Sequence, residues 1–101
     1  MNETLKVLKE RRSCRSYRPE QITDEELNAV LEAGTYAPTA RGQQSPIIVA
    51  VQNPAVVEQL RKMNAAVLGT PEADPFYGAP TVLVVLAARD NTNRIYDCLL
   101  Y

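Results

Sequence analysis

Ile47-Ile48-Val49-Ala50-Val51-Gln52-Asn53-Pro54-Ala55-Val56-Val57 is the stretch on which the fold turns. Its first five residues are an unbroken, mostly β-branched run, which reads as a strand buried on both faces. Asn53 then offers a side-chain oxygen to cap a helix, and Pro54 suits the first helical position because it has no N–H to leave unpaired. Val57, Leu60 and Met63 or Asn64 give that helix its inward face. A strand followed at once by a capped helix makes this a chain of mixed helices and strands.

Working outward, Gly69 to Pro80 carries Pro71, Pro75, Gly78 and Pro80 and reads as a loop with turns. Thr81 to Ala87 is a second buried strand, and a last helix containing Ile95, Cys98 and Leu99 is capped by Asp90 or Asn91. Upstream, residues 37–46 are loop. Thr23-Asp24-Glu25-Glu26 is a helix start of the capping-box kind, in which Thr23 accepts from the N–H of Glu26 and Glu26 reaches back. That helix spans 24–35, with Leu27, Val30, Leu31 and Gly34 inward and Pro38 beyond its end. Residues 3–12 form a first helix on Leu5 and Leu8, and Pro19 marks the following stretch as extended. The order is α-α-β-α-β-α, with no repeat and no linker.

The chain has 101 residues, enough for one domain at most. At that size only about 60–70% of the unfolded surface is buried, so stability is marginal without help. Two strands are few for an independent sheet, and Ile95 to Tyr101 is apolar with no stop signal. The chain thus reads as the front part of something longer, or as one that finishes its core with a partner. Twelve acidic against eleven basic residues leave no electrostatic case for nucleic acid. No apolar run approaches the roughly 20 residues that span a bilayer, and the N-terminus has no signal core, so the expected location is the cytoplasm. There is no histidine, which removes His-based acid/base work and the commonest metal ligand. Cys14 and Cys98 have no metal-type spacing and read as reduced thiols.

Three patches bear chemistry. In Arg11-Arg12-Ser13-Cys14-Arg15-Ser16-Tyr17-Arg18, guanidinium and hydroxyl donors suit a phosphate, although cations after a helix C-terminus are favoured by its dipole alone. Thr39, Arg41, Gln43, Gln44 and Ser45 could hydrogen-bond the edge of a heterocycle or form an ordinary polar loop. Phe76 and Tyr77 could stack on a ligand or cap the core. Asp90 and Asp97 have no paired carboxylate in view and receive no catalytic role.

Together these patches resemble the nitroreductase family of flavin mononucleotide (FMN) enzymes. The matching pieces are Arg11 to Tyr17, Leu27-x-x-Val30-Leu31-x-Ala33-Gly34-x-x-Ala37-Pro38-Thr39, Gln44 to Val51, and Tyr77 to Val85. They fall in family order and cover about the first half to two-thirds of a typical member. Gly42 replaces a common asparagine, and Ser45-Pro46 stands where Pro-Trp is usual.

The resemblance implies an α+β fold with a central, mostly antiparallel sheet flanked by helices, incomplete in this chain, with residues 1–101 as the N-terminal part of a single domain. It implies a homodimer with FMN at the interface. Arg11, Ser13 and Arg15 would contact the phosphate and ribityl chain, with Arg12 taking part. Pro38 and Thr39 would approach the flavin ring from the other subunit, and Gln44 would match a family glutamine. NAD(P)H would donate hydride, and a nitroaromatic, quinone or similar small molecule would accept the electrons. No protein nucleophile and no metal are needed, since the flavin carries the chemistry. Two other readings fit the residues: an inactive, truncated chain that only associates with a partner, and a flavin-free domain binding a phosphate ligand.

Overall fold

The computed structural model describes residues 2–90 and 92–101. Its elements run α1 (Glu3–Glu10), α2 (Asp24–Thr35), β1 (Ile47–Val51), α3 (Pro54–Leu68), β2 (Val82–Leu86) and α4 (Arg94–Leu100), with a short 3-10 turn at Ala40–Gly42 inside the loop before β1. The expected order is therefore observed.

Local chemistry explains most boundaries. Asn2 opens α1 by accepting from the N–H of Leu5 at 2.8 Å. The helix stops two residues short of the expected end, with Arg11 already extended at φ −54°, ψ 137°. Arg12 Nη1 donates to the carbonyls of Lys9 and Arg11 at 3.0 and 2.9 Å, satisfying groups that a further turn would have used.

At α2 the capping box is complete. The Thr23 hydroxyl accepts from the N–H of Glu26 at 3.1 Å, and the Glu26 carboxylate accepts from the N–H of Thr23 at 2.9 Å. Asn53 opens α3 by accepting from the N–H of Ala55 at 2.9 Å. Gly69 closes it in the left-handed region, φ 77°, with the N–H of Thr70 returning to the carbonyl of Ala65 at 3.1 Å. The expected cap of α4 is not used. Asn93 holds that position without a side-chain cap bond, and Asn91 lies outside the described residues.

β1 and β2 pair antiparallel, Ile47 opposite Leu86 and Val51 opposite Val82. Both strands differ from the expectation of burial on two faces: Ile47, Val49, Leu83 and Leu86 are exposed. A continuous apolar run says that both faces need cover; it does not say that this chain covers both. Ile48, on the same face as Leu83, is half-buried and lies against Gly34 of α2.

The inward stripe of α3 runs through Val57, Leu60, Arg61 and buried Ala65, while Met63 points out. Spacing by four carries the stripe from 57 to 61 to 65 and leaves 63 on the far side. Val30 of α2 is likewise exposed, as are Leu5, Val7 and Leu8 of α1. Among the described residues only Pro46, Ala65 and Asp97 are buried. No helix among them is long and apolar enough to cross a membrane.

Candidate functional site

The segment after α1 carries the cationic patch. Arg11, Arg12, Ser13 and Arg15 are all exposed. Arg12 is partly committed, its Nη1 being tied to the end of α1. Among the described residues the side chains of Arg11, Ser13 and Arg15 have no hydrogen-bond or ion-pair partner. Their donors remain available to an anion, and three such groups within five residues match the oxygens of a phosphate.

This segment is anchored near the start of β2. Cys14 and Tyr17 share a cavity of about 280 Å³ with Phe76, Tyr77, Thr81 and Val82. Cys14 is a free, exposed thiol that donates to the carbonyl of Ser16 at 3.0 Å. Further along, Gln21 Nε2 donates to the carbonyl of Pro80 at 3.0 Å, and Gln21 Oε1 accepts from the hydroxyl of Thr81. Gln52 Nε2 donates in turn to Thr81 Oγ1 at 3.0 Å. A chain of amides and one hydroxyl thus fixes the approach to α2 against the Val51/Val82 end of the ladder. Sequence reasoning did not find this network, because Gln21 and Thr81 are 60 residues apart.

The aromatic patch is shaped by Asp74. Its carboxylate accepts from the N–H groups of Phe76 and Gly78 at 3.1 and 2.8 Å. Tyr77 is held at φ 52° and is exposed, while Phe76 is half-buried.

The loop before β1 carries the second expected group. Pro38 is exposed and Thr39 half-buried. Thr39 organises the loop twice: its carbonyl accepts from the N–H of Gly42 at 3.0 Å, and its hydroxyl accepts from the N–H of Gln44 at 2.9 Å. Arg41, Gly42 and Gln44 all have left-handed backbones, φ 58°, 63° and 51°. Gln44 is exposed, and its Oε1 accepts from the hydroxyl of Tyr101. Tyr101 was not among the expected site residues.

Within one chain these two groups are not brought together. The arginine segment lies beside Thr81 and Val82, at one end of the ladder. The Thr39–Gln44 loop leads into Ile47, which pairs with Leu86 at the other end. Four steps of strand separate the two ends by about 14 Å.

Two carboxylates have shifted acidities. Glu26 is held below the ordinary 4.5, first by the backbone N–H of Thr23 and then by its hydroxyl. Glu58 is lowered by its hydrogen bonds from Arg61, the closest oxygen and nitrogen being 2.7 Å apart. Neither belongs to the arginine segment or to the Thr39–Gln44 loop. Among the described residues no group of His, Cys, Asp and Glu could hold a metal ion.

Known proteins share both the sequence pattern and the backbone. The Nitroreductase family matches residues 8–98. A Bacillus subtilis protein named FMN reductase (NAD(P)H) is 33% identical over 87 residues, 86% of this chain and 32% of that relative. A Bacteroides fragilis nitroreductase solved with bound FMN superposes with a TM-score of 0.90 at 29% identity, over 99% of this chain and 60% of that one. A Desulfitobacterium hafniense nitroreductase with bound FMN gives 0.86 at 32% identity, over 99% and 60%. The chain therefore spans about a third of the length of that curated relative and 60% of each of the two solved chains.

Proposed function

This chain belongs to the nitroreductase family, and from that premise we propose that it forms the N-terminal part of a single FMN-dependent oxidoreductase domain working in the cytoplasm as a homodimer. When bound, FMN would supply redox chemistry, accepting hydride from NAD(P)H and passing electrons to a nitroaromatic, quinone or similar small acceptor. The protein's part is to hold and orient it.

The observation that carries this reading is the set of unpartnered donors at Arg11, Ser13 and Arg15. Their chemistry fits the phosphate and ribityl hydroxyls, and Arg12 adds the N–H groups left over from its bonds to α1. Pro38, Thr39 and Gln44 would meet the ring. The distance of about 14 Å between the ladder ends favours a site assembled from two copies, one giving the arginines and the other the loop. The two solved relatives with bound FMN support the cofactor.

The test is the visible spectrum of the purified chain after mixing with FMN and removing the excess on a desalting column. The reading expects retained flavin bands that bleach with NADH. It also expects Arg11→Ala and Arg15→Ala each to weaken FMN binding about 10-fold or more, as for a lost charged hydrogen bond, with a smaller effect on riboflavin, which keeps the ribityl chain and lacks the phosphate. A colourless chain would remove the proposed activity from residues 1–101 and leave the family membership standing.

A further inference from the structure

Gln44 is constrained from three sides. Its N–H is taken by Thr39 Oγ1 at 2.9 Å, its backbone sits at φ 51°, and its Oε1 accepts from the hydroxyl of Tyr101. Tyr101 is itself fixed in place. Its N–H donates to the carbonyl of Asp97 at 3.1 Å, and its carbonyl lies so close to α2 that a Cβ on Gly34 would sit 3.5 Å away. Asp97 is almost fully buried.

A glutamine amide has one accepting end and one donating end, and an isolated exposed amide can present either. A tyrosine hydroxyl can donate or accept; here it donates to Oε1, which holds the amide in place and leaves the two N–H groups of Nε2 for another partner. Among the described residues Nε2 has no partner. We propose that Tyr101 is a positioning residue: it holds the Gln44 amide in place with the Nε2 donors free, so that the loop can meet a ring edge presenting acceptors, such as the carbonyl oxygens of a flavin pyrimidine ring. The lock itself is a property of this chain; the identity of the ring rests on the FMN reading above.

Two measurements test it. The first needs no ligand. In a ¹H–¹⁵N spectrum the Gln44 side-chain amide pair shifts in Tyr101→Phe, while the backbone N–H of Gln44, bonded to Thr39, stays in place. An unmoved side-chain pair overturns the lock. The second is a fluorescence titration with FMN and with riboflavin. Tyr101→Phe weakens both flavins by about the same factor, roughly 5-fold for a neutral hydrogen bond lost to disorder, because the contact is with the ring and not the phosphate.

In a Gln44→Ala background, Tyr101→Phe has no further effect. An equal loss in both backgrounds overturns positioning in favour of a general structural role, and no loss in either overturns it outright. Wild-type protein that takes up neither flavin overturns the FMN reading and the ring selectivity with it, while the amide spectrum still decides the lock.

Discussion

The hydroxyl of Thr39 accepts the backbone N–H of Gln44 across a five-residue interval at 2.9 Å. This one bond closes the loop that presents Gln44, because the intervening backbone turns through left-handed φ at Arg41 and Gly42. Thr39→Val keeps the shape and removes the acceptor. It should lower the unfolding free energy by about 1 kcal/mol in urea titration and weaken flavin binding, whereas Thr39→Ser should restore both.

Gly69 ends α3 at φ 77°, and a Cβ built there meets nothing within 4 Å. A substitution therefore tests backbone conformation alone. Gly69→Ala should cost about 1–2 kcal/mol by urea denaturation, and Gly69→Asn less, since asparagine tolerates that region.

Gly34 is limited by space and not by φ. A Cβ there would lie 3.1 Å from Ile48 Cδ1, the free end of a flexible side chain. Gly34→Ala gains about 1 kcal/mol of helix propensity and displaces one methyl group, so its melting temperature should stay close to wild type. Gly34→Val cannot be absorbed in the same way and should cost about 1–3 kcal/mol.

Acid should act on the helix start. The Glu26 carboxyl titrates below 4.5 in the folded chain because Thr23 donates to its charged form. A lowered folded value means that its contribution is fully present above 4.5 and disappears as the pH falls through that lowered value. Glu26→Gln should therefore be less stable than wild type at neutral pH, and the gap should close below pH 4.5, as measured by urea midpoints across a pH series. Glu58 gives the same sign through its bonds to Arg61.

These cases also show what was legible in the residues. The capping box at Thr23 and Glu26, the Asn53-Pro54 start and the Gly69 stop each involve neighbours along the chain, so the pattern contains both partners. The order of elements and the family resemblance rest on such local signals. Burial was less readable. Ile47 and Leu86 are apolar enough for a core, yet they pair on an open face, because hydropathy states a need for cover and not its source. The site divided in the same way. The donors of Arg11, Ser13 and Arg15 could be named in advance, but the turn of Arg12 back onto α1 and the bond from Tyr101 to Gln44 could not. The latter joins residues 57 apart, and no spacing rule reaches that far.

A ladder of two strands has two edges, and here both strands are five residues long without a charge or a proline. Lysines, prolines and bulges are the usual guards against edge-to-edge pairing, and neither Ile47–Val51 nor Val82–Leu86 carries a lysine or a proline. Short, uncharged β-branched segments are also the kind that stack into cross-β assemblies. The practical vulnerability of this chain in a tube is therefore colloidal. Light scattering should climb with protein concentration at temperatures well below the unfolding transition, and a lysine at exposed Val49 should suppress it while leaving the helices intact.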